Sequence, residues 1–245
     1  MRRSGGSTEI RWKHESELMA AKVCAIHQPN FFPWMGYFDK IARADVFVFL
    51  DHVDYPKSGS SMSSWCNRVK INEGGKAAWI SCPVVRAHGR QLIDAVHINN
   101  HRPWRDDLRK RLDANYRHAP DFTQAYDVVS GLLDYATDSL ADFNVNVIQH
   151  LSRLLGHQVE WIRQSALPHM SETSTERLVA ICKHLGASAY LCGGGSGDYQ
   201  EDQRFADAGI ELVYQNFQPV TYGTADTFIP GLSIIDWLMH NSKNS

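Results

Sequence analysis

Residues 24–51, CAIHQPNFFPWMGYFDKIARADVFVFLD, set the fold class. Val23-Cys-Ala-Ile26 is a short apolar run that stops at the polar group His27-Gln28-Pro29-Asn30, the pattern of a buried strand running into a loop. From Gly36 onward Tyr37, Ile41 and Ala44 recur at helical spacing. Val46-Phe-Val-Phe-Leu50 is then apolar at every position, as a strand covered on both faces must be. Strand, loop, short helix, strand is a βαβ unit, which favours a parallel sheet with a right-handed crossover. The loop leaves the carboxyl end of the first strand, the edge at which open α/β sheets bind ligands.

Working outward, residues 65–98 change character. The segments 65–71, 77–85 and 93–98 are β-like and are separated by Asn72-Glu-Gly-Gly75 and Ala87-His-Gly-Arg90, which predicts an antiparallel meander. From His101 to about His157 the pattern is helical, with Leu108, Leu112 and Tyr116 on one face of the first helix and Ala119-Pro120 beyond its end. Thr173-Ser-Thr-Glu176 has capping-box spacing before a helix closed by Gly186. Ala189-Tyr-Leu-Cys192 is a strand, Tyr199 to Ala208 a helix, Ile210 to Tyr214 a strand and Leu232 to His240 a closing helix. The expected fold is α/β: a parallel-sheet core of βαβ type with an antiparallel meander and an inserted helical segment. One domain over 22–240, with the insertion at about 101–157, follows a polar leader at 1–21 and precedes a short tail at 241–245. The leader carries Arg2, Arg3, Arg11 and Lys13 without an apolar core, and Met19 is an alternative start.

The 245-residue length leaves ample room for a core, and 43% hydrophobic with 21% charged residues is ordinary globular composition. A net charge of -2 argues against a broad nucleic-acid footprint. Five dispersed cysteines without CxxC or CxxH spacing read as buried thiols in a reducing cytoplasm, neither a disulfide frame nor a zinc site. No apolar run reaches the roughly 18 residues that span a bilayer.

Five groups of residues are candidates for chemistry. His27 alone would read as a satisfied strand-end histidine, but Gln28 and Asn30 flank it as orienting amides and Pro29 and Pro33 stiffen the loop. With an ordinary pKa of about 6.5 it is open to duty as a general base or as a phosphate donor. Phe31, Phe32 and Trp34 are expected as the wall of this site, with Trp34 and Tyr37 among its ligand-binding residues. Lys57 and Arg68, with Trp65 and Asn67, bracket the Gly/Ser stretch SGSSMSS and form either an anion clamp or two solvated cations. Asp51 and Asp54 follow the second strand as a metal or ribose pair, or as plain loop carboxylates. Gly193 to Gly197, including Gly194 and Ser196, lies between a strand and a helix that starts at Tyr199. It is neither a Walker A loop nor GxGxxG, and Asp198 there opposes phosphate, so glycine turn and ligand contact stay open. His97, His101, Arg102, Trp104 and Arg105 are candidates for the mouth of a cleft, against the simpler reading of Trp104 as core. The remaining histidines show no metal-ligand spacing, and no metal site is expected.

Four stretches, HQPNFFPWMGYFDKIARADVFVFLD, WCNRVKI, YLCGGGSGDYQEDQRFADAGIEL and FIPGLSIIDWL, together resemble the WbqC-like family from about Lys22 to His240. The matching positions are His27, Gln28, Pro29, Pro33 and Gly36, then Lys57, Trp65, Asn67 and Arg68, then Gly194, Gly197, Tyr199 and Asp236. The resemblance implies a place in bacterial polysaccharide or secondary-metabolite biosynthesis, with an expanded Ser/Gly insert between Lys57 and Trp65 as this chain's departure. A fainter similarity joins the opening strand, loop and helix to HUP-type adenylating enzymes, although their HxGH signature is represented only by the glycine of Trp34-Met-Gly-Tyr37. The expected activity is transfer of an acyl or aminoacyl group to an amine of a sugar-like or amino-acid-like small molecule. His27 would be the base, Lys57 and Arg68 would hold the donor's anionic part, and Trp65 and Asn67 would orient the acceptor. Donors consistent with this are acyl-CoA or aminoacyl-tRNA, the latter being the one nucleic acid expected; no membrane partner is expected, and a homodimer is the candidate assembly. The rivals are an ATP/Mg2+-dependent amide ligase and a non-catalytic subunit of a biosynthetic complex.

Overall fold

The computed structural model describes residues 21–56, 65–85, 89–170, 172–193, 199–223 and 228–241, with the backbone alone at 199–201. Five strands form one wholly parallel sheet: β1 (Val23–His27), β2 (Val46–Phe49), β5 (Glu160–Arg163), β6 (Ala189–Cys192) and β7 (Glu211–Tyr214), ordered β5-β2-β1-β6-β7. Counted along the chain this is the 3-2-1-4-5 order of a doubly wound sheet, with its topological switch point between β1 and β6. The helix expected after the first strand is α1 (Met35–Ala42).

Because side chains alternate across a strand, one face of the sheet presents Ala25, Phe47 and Phe49 and the other Cys24, Ile26, Val46 and Val48. The first face is covered by α1 and by α2 (Trp104–Tyr116), α3 (Phe122–Leu133), α4 (Leu140–Leu154) and α7 (Ile234–Asn241). The second is covered by α5 (Ser174–His184) and α6 (Tyr199–Asp207). Leu108, Leu112 and Tyr116 are buried as the helical spacing predicts.

The meander is smaller than expected. β3 (Arg68–Glu73) and β4 (Lys76–Ser81) form a separate two-stranded hairpin, turning through Gly74 and Gly75 at φ 60° and 81°, conformations natural to a primed two-residue turn. Residues 93–98 do not add a third strand. Ile93 and Val96, both buried, are three residues apart, a spacing that suits the 3₁₀ turn Ile93–Ala95 and not a strand of period two. The segment makes single bridges instead, Val84 to Ile98 and His97 to Ser139. A further difference is β5, an edge strand in a stretch for which the sequence predicts no element.

Candidate functional site at the sheet switch point

β1 delivers His27 to the carboxyl edge of the sheet, on the α1 face. There it lines a cavity of about 410 Å³ with Trp34, Tyr37, Lys40, Gly193 and Gln215. The strands on either side of the cavity, β1 and β6, are those that flank the switch point. The Gln28 carbonyl, 3.0 Å from Nδ1 of His27, also accepts the Tyr37 hydroxyl at 2.9 Å. A carbonyl can only accept, so Nδ1 carries the proton and the Nε2 lone pair is left for chemistry. Burial, assisted by the positive charge of Lys40, lowers the His27 pKa to about 4, so the ring is neutral at physiological pH. The Tyr37 ring packs edge-on at 4.7 Å, and burial pushes its phenol well up, keeping it a neutral donor.

Lys40 is the functional candidate that sequence reading passed over. It is 4% exposed, donates to the Ile26 carbonyl at 3.0 Å and lies 5.7 Å from the centre of the Tyr190 ring. Among the described residues it has no carboxylate partner, and burial lowers its pKa to about 8. A lysine on the inner side of a short helix looks like any surface cation in the sequence; the signal was its place among Tyr37, Phe38 and Ile41 on the apolar stripe. Gln215 and Asn216 close the cavity from the segment after β7. Gln215 donates to the Gly36 carbonyl and to Asp39, and Asn216 adopts φ 47°.

The loop after β1 is clamped from three sides. Asn144 of α4, fully buried, donates to the carbonyls of Pro29 and Cys66 at 2.9 and 2.7 Å. Phe31 N bonds the Trp65 carbonyl at 2.8 Å, and the Ser233 hydroxyl donates to the Phe32 carbonyl at 2.7 Å. The structure therefore brings the first motif against the 65–68 segment, as well as against the FIPGLSIIDWL motif. The aromatic wall needs correction: Phe31 and Phe32 are fully buried and pack on Phe143, leaving Trp34 as the indole beside the cavity. Phe32 turns inward at φ 40°, a strained value for a non-glycine residue that the surrounding clamps over-determine.

Other candidates fall elsewhere. Asn30 is buried, with the Cys66 thiol 4.0 Å from its Oδ1. Gln28 lines a second, larger cavity on the β2 and β5 side of β1. Asn67 donates to the Cys82 carbonyl. The Arg68 guanidinium lies 4.4 Å over the Trp79 ring, which in turn meets Trp65 at 5.3 Å. This cluster adjoins the loop without lining the His27 cavity. Asp51 is fully buried and structural: it accepts from Arg163 Nε at 2.6 Å and from Ser165 N and Oγ at 2.9 and 2.8 Å, so it offers no free carboxylate to a metal or ribose. His97 and His101 are exposed, and neither lines either cavity at the carboxyl edge of the sheet. Trp104 is core, packed on Phe31 and Phe143. Asp236 joins α7 to α2 by accepting the Tyr116 and Tyr222 hydroxyls at 2.6 and 2.7 Å. Lys57, Gly194, Ser196 and Gly197 lie outside the described residues, as does the Tyr199 side chain. All five cysteines are buried free thiols, and no helix among the described residues is long and apolar enough to cross a membrane.

No solved structure matches the chain. It is 27% identical over 227 residues to uncharacterized protein Rv1507c of Mycobacterium tuberculosis, covering 89% of this chain and 94% of that protein. The model of the WbqC-like protein family matches residues 28–245, which takes in the loop after β1, the hairpin, strands β2, β5, β6 and β7 of the sheet and the closing helix. The chain therefore belongs to the WbqC-like protein family.

Proposed function

We propose that the protein is a biosynthetic enzyme that transfers an acyl or aminoacyl group to an amine of a sugar-like or amino-acid-like small molecule, with His27 as general base. Family membership supports the biosynthetic setting. The observation that carries the chemistry is the His27 tautomer: Nδ1–H held by the Gln28 carbonyl, the ring neutral, and Nε2 available at a cavity. The acceptor amine attacks the acyl carbonyl carbon, a C–N bond forms and the carbonyl π electrons move to oxygen. His27 Nε2 takes the amine proton, and the Lys40 ammonium stabilises the oxyanion. Collapse of the intermediate breaks the bond to the leaving group, a thiolate of an acyl-CoA or the ribose oxygen of an aminoacyl-tRNA, which recovers the proton from His27. The buried thiols of Cys66 and Cys82, pushed up by burial to about 12 and in the latter case higher still, are poor nucleophiles, which favours direct transfer over an acyl-enzyme. Arg68, and Lys57 from the same motif, are assigned to the donor's anionic part, with Trp65 and Asn67 beside the acceptor.

The test incubates purified protein with amine acceptors and either acyl-CoA or aminoacyl-tRNA, reading product by mass spectrometry. His27→Ala is expected to lower turnover by about 10²–10⁴-fold. Product that forms only with ATP and Mg2+, with pyrophosphate release, replaces this reading by the amide ligase, which the switch-point position of the cavity favours as the second choice. Unchanged turnover in a folded His27→Ala removes both.

A further inference from the structure

The two strands of the hairpin alternate, so that Val69, Ile71 and Ile80 are buried while Arg68 and Lys70 share the opposite face with Trp79. Lys70 stands directly across from Trp79 in the register. The Arg68 guanidinium lies 4.4 Å and the Lys70 ammonium 5.1 Å from the centre of the Trp79 ring, and the Trp65 ring is 5.3 Å away. Among the described tryptophans only these two are exposed, Trp65 at 37% and Trp79 at 39%. Two adjoining exposed indoles form a patch, unlike apolar residues scattered singly over a surface. With two cations held against one of them, the patch has the parts that recognise a planar ring carrying negative charge.

Charge and anchoring point the same way. Glu73 is the one carboxylate of the hairpin, and Arg111 takes both of its oxygens at 3.0 and 2.6 Å, which leaves the cations of the outer face unopposed within the hairpin. Arg111 also donates to the Trp79 carbonyl at 2.8 Å. The Trp65 carbonyl accepts Phe31 N at 2.8 Å, from the loop that leaves His27. The backbone under both indoles is therefore fixed before any ligand arrives, and it adjoins the candidate site. The patch is also small. Two indoles and two cations match a single nucleotide, and a net charge of -2 over the chain opposes the approach of a polyanion the size of a tRNA.

We propose that the outer face of the hairpin binds the 3′-phosphorylated adenosine diphosphate head of an acyl-CoA. The adenine packs against the Trp79 indole, the phosphates meet Arg68 and Lys70, and Trp65 stands between this head and the acceptor. The site rests on the transfer reading above and names the donor within it. It also explains why the Arg68 cluster adjoins the His27 loop without lining the His27 cavity: the head is held outside, and the flexible pantetheine arm carries the acyl group.

Binding of coenzyme A, pantetheine and a short single-stranded oligonucleotide ending in CCA to the full chain is measured by titration calorimetry, with tryptophan emission as a second readout. Saturable binding of coenzyme A that quenches the emission and weakens with added salt is expected. Trp79→Ala should weaken it about tenfold or more and Lys70→Gln several-fold, and His27→Ala should bind as wild type does. Circular dichroism checks each variant, and Lys70→Gln carries the test if Trp79→Ala fails to fold. No saturable binding, equal binding by wild type and both hairpin variants, or pantetheine binding as tightly as coenzyme A overturns the proposal. So does tighter binding of the oligonucleotide, which hands the patch to an aminoacyl-tRNA, or a dimer in sedimentation velocity that Trp79→Ala dissolves, which hands it to a second copy of the chain. Coenzyme A bound as expected by a protein that transfers no acyl group sustains this site and ends the transfer reading. Transfer from acyl-CoA that is unaltered in Trp79→Ala and Lys70→Gln does the reverse.

Discussion

His27 and Lys40 reach their protonation states by the same route, and each leaves a signature in pH. His27 is neutral above about 4 and Lys40 is protonated below about 8. Activity that needs a neutral imidazole and an ammonium should rise through the first value and fall through the second, and kcat/KM against pH reads both limbs. Lys40→Met should erase the alkaline limb and lower the rate. Its effect on stability has the opposite sign. Between about 8 and 10.5 the unfolded state holds a proton on Lys40 that the folded state has lost, so wild-type stability rises with pH across that window. Below 8 both states are charged, and the folded one carries the full desolvation cost, about 3 kcal/mol. Less about 1 kcal/mol for the bond to the Ile26 carbonyl, Lys40→Met should be about 2 kcal/mol more stable at pH 7. The advantage should disappear within that window and reverse by about 1 kcal/mol toward pH 10.5, as urea denaturation at a series of pH values would record. A variant that is less stable than wild type at pH 7 would show that the lysine is better solvated than its burial indicates.

At the scale of elements, the loop between β1 and α1 is shaped by neighbours that the sequence does not place beside it. Gly36 illustrates the closeness: a Cβ there would meet the Trp34 indole at 2.5 Å. Gly36→Ala should swing the indole away from Phe217, now 5.2 Å from it, and open the cavity wall. A shifted tryptophan emission with little change in melting temperature is the expected readout; unaltered emission would mean that the helix start moves instead. The βαβ opening, the Gly-Gly turn of the hairpin and the face of α2 were legible because strand, turn and helix each impose a local period or a special φ. His27 and its loop were legible because an apolar run ended on it. What was not legible had no local period. β5, Glu160-Trp-Ile-Arg163, is an edge strand of four residues bounded by charges, too short to show alternation. Without it, neither the second cavity nor the burial of Asp51 follows from sequence. Lys40 and Asn144 owe their roles to partners 14 and 115 residues away, and Phe31 and Phe32 to a core assembled by α4. Thr173-Ser-Thr-Glu176 had the right spacing for a capping box, yet Arg204 draws Glu176 away.

Across the whole molecule, the carboxyl edge of the sheet is a row of strand ends that must be fixed without covering the cavities. Asp51 does this for the β2 and β5 side. Fully buried, it receives Arg163 from the end of β5 and both Ser165 donors from the turn that follows, while the same guanidinium also reaches Asp142 on α4. One carboxylate thus ties two strands to the helical layer, and the floor of the larger cavity, Ser165, hangs from it. The two acidic partners of Arg163 are not equivalent, because Asp51 is 0% exposed and Asp142 41%. Removing the buried partner takes the acceptor from Arg163 Nε and from both Ser165 donors at once, and Asp51→Ala should cost about 3–5 kcal/mol. Removing the exposed one exchanges a screened contact for water, and Asp142→Ala should cost about 1 kcal/mol or less. Equilibrium denaturation of the two variants side by side measures the difference. Equal losses would place the stability of this edge in the Arg163 stem and its packing, and the carboxylates would then be spectators.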